Sequence, residues 1–195
     1  MTGFYLTHPQ VKVEPDVPVP DWSLSEAGRA RIEAVLGRPW LKTVGRIVAS
    51  GERKAIEAAE ILARSLGLSC EVRPDTGEND RSATGFLPPP AFERAADAFF
   101  AHPEASWNGW ERAVDAQARI VGAVEKALRA GDAGVLFVGH GAVGTLLKCR
   151  LAGRPVSRRE DQPQGGGNVF AFSLADRSLL CDWTPLERFE GVGHG

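Results

Sequence analysis

Two histidines in this chain stand where their chemistry could be combined. His8 ends the apolar run 4–8, and His140 follows the apolar run 135–139. Each run is short and apolar enough to be a buried parallel strand. Because open α/β sheets bind ligands beyond the carboxyl ends of their strands, both imidazoles can face one ligand. A neutral imidazole nitrogen attacks phosphorus well, so phosphoryl transfer is the first chemistry to consider.

The residues beside each histidine fit this interpretation. Pro9 disfavours the helical region at His8 and keeps the strand end extended. The glycines on either side of His140 let backbone N–H groups approach an anion at the start of the next helix. The alternatives are a surface or capping histidine at position 8 and a tight turn with an exposed histidine at position 140.

Two further segments carry charges that could complete an anion site. Residues 50–54 open a helix with Arg53 and Lys54, whose charges oppose the helix dipole and indicate an anion nearby. Residues 78–81 provide Glu78 and Asp80, and a carboxylic acid with a raised pKa can protonate a leaving alkoxide. Taken singly, each segment also fits an ordinary solvated turn.

The elements that must position these residues alternate between strand and helix. The strands are predicted at 3–8, 46–50, 70–73, 134–139, 169–174 and 179–183, the last two as a hairpin. The helices are predicted from the N-cap Ser25 to Leu36, up to Leu66 before Gly67, around 92–99, from Trp110 to Leu128, and at 142–152. The pattern predicts an α/β fold, a three-layer α/β/α sandwich whose mostly parallel central sheet has helices on both faces and an antiparallel edge.

Length and composition are those of an ordinary globular protein. The 195 residues, 43% of them hydrophobic and 25% charged, predict a single domain over 1–195. A net charge of -2 gives no reason to expect nucleic acid or membrane as a partner. The three cysteines form no CxxC pair, and no signal peptide is recognisable, so we expect a cytoplasmic protein. The oligomeric state cannot be read from the sequence.

Taken together, the segments resemble the histidine phosphatase superfamily, the phosphoglycerate-mutase-like group, over nearly the whole chain. Thr7-His8-Pro9 stands where that family has Arg-His-Gly. Residues 50–59 (SGERKAIEAA) are similar to its Ser-Pro-x-x-Arg-Ala-x-Gln-Thr-Ala segment, and residues 135–141 (VLFVGHG) look like its second-histidine strand. Residues 24–29 look like the entry to its first helix.

The resemblance implies a phosphatase that hydrolyses phosphomonoesters, or a phosphoprotein, through a phosphohistidine on His8. His140 would help to hold the phosphoryl group, and Glu78, with Asp80 as the fallback, would protonate the leaving group. The remaining candidates for phosphate binding are Thr7, Arg53, Lys54, Arg81 and Gly141. The resemblance implies no metal and no organic cofactor, and its partner is a phosphorylated small molecule or phosphoprotein.

The departures from the family pattern fall on the phosphate pocket. The family's first arginine is Thr7 here, its second aligns with Lys54, and its glycine after the nucleophile is Pro9, which has no N–H. Lysine and threonine lack the fork with which arginine binds two phosphoryl oxygens, and losing one preorganised donor costs on the order of 10²–10³ in rate. The main alternative is therefore a weak or inactive member that binds a phosphorylated ligand or partner. Arg53 and Arg81 are the candidate replacements for the missing charge.

Three further expectations concern another function, the type of reaction and the choice of substrate. Residues 139–144 satisfy Gly-x-Gly-x-x-Gly between a strand and a helix, which makes dinucleotide binding a remote alternative. It is remote because no second strand with an acidic residue follows about 20 positions later. Hydrolysis is favoured over mutase action, since no segment marks an enclosure for the intermediate. The loop 9–22 and the segment 79–110 are expected to shape substrate choice.

Overall fold

The computed structural model describes residues 1–131 and 133–193, and within them six strands form one sheet in the order β3-β2-β4-β1-β5-β6. The strands are β1 (Thr2–Thr7), β2 (Arg46–Ser50), β3 (Cys70–Arg73), β4 (Val135–Gly139), β5 (Asn168–Ser173) and β6 (Leu179–Pro185). The α-helices are α1 (Glu26–Glu33), α2 (Arg53–Leu66), α3 (Pro89–Ala101), α4 (Ala113–Leu128) and α5 (Gly141–Ala152).

The sheet is parallel through its first four strands and antiparallel at one edge. β3, β2, β4 and β1 run in the same direction, whereas β5 is antiparallel to both β1 and β6. Helical crossovers separate the parallel strands, as parallel pairing requires. The predicted α/β fold with a mostly parallel sheet and an antiparallel edge is confirmed.

Alternating strand residues pack on two separate cores, one on each face of the sheet. Phe4 and Leu6 of β1 pack in the core that contains the buried sides of α1 and α2. Tyr5, which lies between them, packs in the core that contains those of α3, α4 and α5. Helices therefore cover both faces. Among the described residues, none of the helices combines the length and the apolar character that a membrane crossing requires.

The ends of the elements follow local sequence signals. The strands agree with the predicted bounds to within two residues, and three helices need larger corrections. Helix α1 ends at Glu33 rather than Leu36, because the next residues turn more tightly before Gly37 with its φ of 86°. Helix α3 begins at Pro89, since proline fits a first helical turn. Helix α4 begins at Ala113, because Trp110 lies buried before it and donates its indole N–H to Thr84 at 2.8 Å.

Candidate active site

The sheet brings the two histidines together at one edge. Thr7 of β1 and Gly139 of β4 are neighbours in the parallel ladder, so His8 and His140 leave adjacent strands at the same level. The backbone N–H of His8 donates to the Gly139 carbonyl at 2.9 Å. The two imidazole centroids lie 5.2 Å apart with their planes 69° apart. A single small ligand can therefore meet both rings.

His8 is held with one ring nitrogen free to act as a nucleophile. Its Nδ1 lies 2.8 Å from the Pro9 carbonyl oxygen. Because a carbonyl only accepts hydrogen bonds, Nδ1 carries the proton and the lone pair lies on Nε2. Burial, with a smaller contribution from the nearby charge of Lys54, lowers the pKa of His8 to about 4. The ring is therefore neutral at pH 7.

His140 is buried and uses one ring nitrogen to bind its own protein. Its Nε2 lies 2.6 Å from the Ser50 hydroxyl oxygen and 3.3 Å from a carboxylate oxygen of Glu52. Burial lowers the pKa of His140 well below the ordinary value, although Glu52 opposes this effect. Its Nδ1 has no hydrogen-bond partner among the residues that the structure describes. Nδ1 is thus the ring atom left for a ligand.

Glu52 is a site residue that the sequence analysis missed. Its side chain is mostly buried, forms an ion pair with Lys54 and accepts the backbone N–H of Glu78 at 2.9 Å. Burial raises the pKa of Glu52, but the adjacent His140 ring, the charge of Lys54 and these hydrogen bonds outweigh it and lower the pKa to about 2. An ionised carboxylate therefore contacts the two residues expected to hold a phosphoryl group. The only sequence signal was its place two residues before Lys54.

The two candidate acids lie in different environments. Glu78 is partly buried at the start of α5, where its carboxylate accepts the N–H groups of Ala142 at 3.2 Å and Val143 at 3.0 Å. Burial raises the pKa of Glu78 even though Arg81 opposes this effect. Asp80 is exposed, and hydrogen bonds from Ser82 lower its pKa. Of the two, Glu78 is therefore the better candidate for a general acid.

Thr7 stands at the position of the family's first arginine, and its hydroxyl forms hydrogen bonds with other groups of the protein. Its hydroxyl donates to the side-chain oxygen of Gln162 at 2.6 Å and accepts the Asn168 backbone N–H at 3.0 Å. The amide nitrogen of Gln162 then lies against Gly141, where a methyl group on position 141 would collide with it. Gln162 is a second site residue that the sequence analysis missed, and no local motif marks it.

The three candidate cations lie in different surroundings. Arg53 is exposed, pairs with Glu57 at 3.0 Å and is not brought to the site. Lys54 is buried, and its ammonium donates to the Val19 carbonyl at 2.9 Å and to Glu52. Arg81 lies over the Phe92 ring at 5.1 Å, and no described carboxylate forms an ion pair with it. Arg81 is thus the cation available to a ligand.

Two adjoining cavities open around these residues. The inner cavity, of about 290 Å³, is bounded by His8, Glu78, Arg81, Gly141 and Gln162 among others. The outer cavity, of about 720 Å³, lies between the loop that contains Trp22 and the segment 78–93. Both are bounded in part by Glu78, Asn79, Arg81 and Phe92. The inner cavity has room for a phosphoryl group beside His8, and the outer one for a larger group.

A family model adds a second line of evidence. The model for the histidine phosphatase superfamily (branch 1) matches residues 14–181. The chain belongs to the histidine phosphatase superfamily. The matched range begins after His8, so the assignment does not depend on the Thr7-His8-Pro9 motif. Among curated proteins, none matches this chain.

Solved structures of other proteins have the same fold. A mycobacterial glucosyl-3-phosphoglycerate phosphatase is 22% identical, with a TM-score of 0.73 over 94% of this chain and 95% of that one. A structure of that phosphatase with inorganic phosphate is 24% identical, with a TM-score of 0.71 over 94% of each chain. YhfR from Bacillus stearothermophilus is 20% identical, with a TM-score of 0.76 over 91% of this chain and 93% of that one. At these low sequence identities, the similarity to these structures shows the fold alone.

The family assignment and the helix start both disfavour the dinucleotide alternative. The Gly-x-Gly-x-x-Gly pattern of residues 139–144 does lie between β4 and α5. A dinucleotide would place its pyrophosphate on the first N–H groups of that helix. Here the Glu78 carboxylate accepts two of those N–H groups, so the protein's own side chain fills the position.

Proposed function

We propose that this protein hydrolyses phosphomonoesters through a phosphohistidine on His8. The observation that carries the proposal is the Nδ1 hydrogen bond to the Pro9 carbonyl, which leaves the lone pair on Nε2 of a residue that borders the inner cavity. A pKa of about 4 keeps that nitrogen unprotonated at neutral pH. Membership of the superfamily, and structural neighbours that include a phosphatase bound to phosphate, are consistent with this chemistry.

The reaction proceeds in two steps. His8 Nε2 attacks phosphorus, the bond from phosphorus to the ester oxygen breaks, and the proton of the Glu78 carboxyl passes to the departing oxygen. The Glu78 carboxylate then takes a proton from water, and the resulting hydroxide attacks phosphorus and breaks the bond to His8. Phosphate leaves, and both side chains return to their starting protonation states. The raised pKa of Glu78 suits it to begin as the acid.

The phosphoryl oxygens need donors at the inner cavity. Arg81 is the cation best placed for this, and it acts together with the side-chain amide of Gln162. We propose that His140 joins them through Nδ1, although its buried ring borders neither cavity. Lys54 contributes through Glu52 rather than by direct contact, and Arg53 has no part. This set carries less positive charge than a pair of arginines, so we propose slow turnover. One domain over 1–195 and a cytoplasmic location remain predictions.

A phosphatase assay with p-nitrophenyl phosphate tests the proposal. We expect His8→Ala to abolish turnover and His102→Ala, at an exposed histidine outside the site, to retain it. Rapid quenching in alkaline denaturant should trap phosphate on wild-type His8, because the phosphorus–nitrogen bond is labile in acid. Equal rates for the wild-type protein and His8→Ala would exclude the nucleophile assignment.

One observation favours a second candidate function, binding of a phosphorylated ligand without turnover. Thr7 binds Gln162 and Asn168 and Lys54 pairs with Glu52, so neither is free to stabilise a transferring phosphoryl group, whereas Arg81 stays available to bind an anion. Calorimetric titration with vanadate and inorganic phosphate distinguishes the two functions. Binding without any phosphatase activity, under conditions where the protein is folded, would favour this second function.

A further inference from the structure

The outer cavity continues directly from the inner one. The two cavities share one boundary, formed by Glu78, Asn79, Arg81, Phe92, Glu93 and Trp110. A phosphomonoester with its phosphoryl group at His8 and its ester oxygen at Glu78 must direct its alcohol part away from His8. The outer cavity, of about 720 Å³, lies in that direction, and its volume is that of a site for a whole small molecule.

The walls of the outer cavity are aromatic. The Trp22 and Phe86 rings are in contact, with centroids 5.5 Å apart. On the other side the Arg81 guanidinium lies 5.1 Å from the Phe92 centroid and 5.7 Å from that of Trp110. Such walls favour flat apolar groups, which gain both burial and offset stacking.

The charges around the outer cavity disfavour a second anionic group on the ligand. Its lining includes the carboxylates of Glu52, Glu78, Asp80 and Glu93, against the single cation Arg81. Glu52 pairs with Lys54 and Glu93 with Arg158, and Glu78 begins the proposed reaction as the neutral acid, so Asp80 and Arg81 are the charges that remain. Arg81 is engaged by the phosphoryl group, so a carboxylate or a second phosphate on the alcohol part would find no free cation in the lining and would face Asp80.

A buried polar atom lies where the two cavities meet. The Asn79 side chain is 4% exposed, and its Nδ2 has no hydrogen-bond partner in the described chain. A buried donor without a partner costs stability, and an acceptor on a ligand would relieve that cost. An ester oxygen that bridges the phosphoryl group and the alcohol part would be such an acceptor once rotation of the Asn79 amide turned its buried Nδ2 toward the cavities.

We propose that the substrate is a phosphomonoester of a bulky, uncharged aromatic alcohol, whose rings occupy the outer cavity between Phe86 and Phe92. The proposal rests on the proposed function for the position of the phosphoryl group. It excludes phosphoglycerates and bisphosphates as good substrates, because their further negative charge would find no free cation in the outer cavity.

Kinetics on matched esters test the substrate class. Phenyl and 1-naphthyl phosphate have leaving groups of similar acidity and differ in one fused ring. We expect kcat/KM to be about tenfold higher for the naphthyl ester, as an apolar pocket gains from added apolar bulk, and far lower for 3-phosphoglycerate. If phenyl phosphate or 3-phosphoglycerate is preferred, the substrate proposal fails while the proposed function stands.

Binding measurements test the same inference without turnover. Three phosphonates, which no phosphatase hydrolyses, are titrated into the wild-type protein: benzylphosphonate, 1-naphthylmethylphosphonate and 4-carboxybenzylphosphonate. We expect the naphthyl compound to bind about tenfold more tightly than the benzyl compound, and the carboxylate to bind more weakly. Loss of phosphatase activity with this order retained would overturn the proposed function alone. Any other order would overturn the substrate proposal.

Two variants locate the effect in the outer cavity. Phe86→Ser removes an aromatic wall from a half-buried loop position, and Ser82→Phe fills the cavity from an exposed position. In both variants we expect the ratio of kcat/KM for 1-naphthyl phosphate over phenyl phosphate to fall below about threefold, while the melting temperature stays unchanged. This expectation follows from the roughly tenfold gain that an intact apolar pocket of this kind provides. Leu180→Ser, at an exposed residue of β6, is the control and should retain the preference. A preference that survives both cavity variants would overturn the inference.

Discussion

Single side chains decide how much negative charge the site of this protein accepts. Glu52 stays ionised because His140 and Lys54 outweigh the effect of burial on its pKa. Its carboxylate therefore competes with a phosphoryl group for the same two partners. At separations of about 4 Å, two such negative charges repel by a few kcal/mol in a partly solvated site.

Neutralising Glu52 should make the site more receptive to anions. We expect Glu52→Gln to raise the affinity for vanadate and inorganic phosphate by about tenfold, since it removes the repulsion and releases Lys54. Isothermal titration calorimetry measures the change. Glu60→Gln, on an exposed position of the same helix, is the control and should not alter binding. Unchanged affinity in Glu52→Gln would show that Glu52 does not occupy the anion position.

The pH dependence of catalysis should depend on Glu78. As the pH rises through about 4, His8 loses its proton and kcat/KM rises. As the pH rises further, past the raised pKa of Glu78, the acid is lost and kcat/KM falls. Glu78→Gln should remove this falling limb and slow phenyl phosphate by about 10²-fold, with a smaller effect on p-nitrophenyl phosphate, whose leaving group needs no proton.

Asp80→Asn is the control for this prediction. Asp80 is exposed and hydrogen bonds from Ser82 lower its pKa, so its loss should leave the falling limb in place. If Asp80→Asn removes the falling limb and Glu78→Gln does not, the fallback assignment of the acid is the correct one. The pH–rate profiles of the two variants, measured on the same ester, decide between them.

At the scale of elements, Tyr5 of β1 fixes the turn from β4 into α5. Its hydroxyl accepts the backbone N–H of His140 at 3.1 Å and donates to the His140 carbonyl at 3.2 Å. A side chain at position 139 or 144 would collide with the Tyr5 side chain, so glycine at both positions leaves the space that Tyr5 needs. The glycines of the 139–144 pattern thus serve packing, which explains how the pattern arises without a nucleotide.

Replacing Tyr5 by Phe should loosen this turn. The buried His140 N–H loses its partner, whereas the His140 carbonyl keeps the Gly144 N–H at 3.1 Å, so we expect the free energy of unfolding to fall by about 2 kcal/mol. Because His140 is then less firmly held, kcat/KM should fall as well. Urea denaturation and the p-nitrophenyl phosphate assay measure the two effects. Full stability in Tyr5→Phe would show that water replaces the hydroxyl.

Element positions followed from the sequence more closely than element ends did. The predicted strands 46–50 and 70–73 agree with β2 and β3 residue for residue. β2 is a buried apolar run, whereas β3 is a short edge strand whose start is limited by Gly67 at the end of α2 and whose end is limited by Pro74. Trp110 was placed in α4 by its spacing, but its ring packs before the helix begins. A buried aromatic residue satisfies the helical period and a packed loop equally well.

At the scale of the whole molecule, folding keeps His8 and His140 uncharged at neutral pH. Burial lowers the pKa of His8 to about 4 and that of His140 well below its ordinary value. The unfolded chain therefore binds more protons than the folded one between about pH 6.5 and pH 4. The stability that depends on the uncharged histidines is therefore present above about pH 6.5 and is lost as the pH falls from about 6.5 to about 4.

Acid titration of stability should reveal this contribution. We expect the free energy of unfolding of the wild-type protein to fall between pH 7 and pH 4.5, and that of His8→Asn to fall by about 2 kcal/mol less. The difference between the two proteins isolates His8 from Glu52 and Glu78, which titrate in both. His102→Asn, at an exposed histidine, is the control and should follow the wild-type curve. Parallel curves for wild type and His8→Asn would contradict the low pKa of His8.

The sequence by itself determined the fold class, the superfamily and the meeting of the two histidines. Short apolar runs fix the strands, and parallel strands bring their carboxyl ends to one edge, so His8 and His140 follow from local pattern. Only the tertiary structure decided what surrounds them. Gln162 arrives from a distant loop, and Glu52 turns toward His140 rather than solvent. Such contacts depend on packing and on the balance between burial and charge, neither of which is encoded in local spacing.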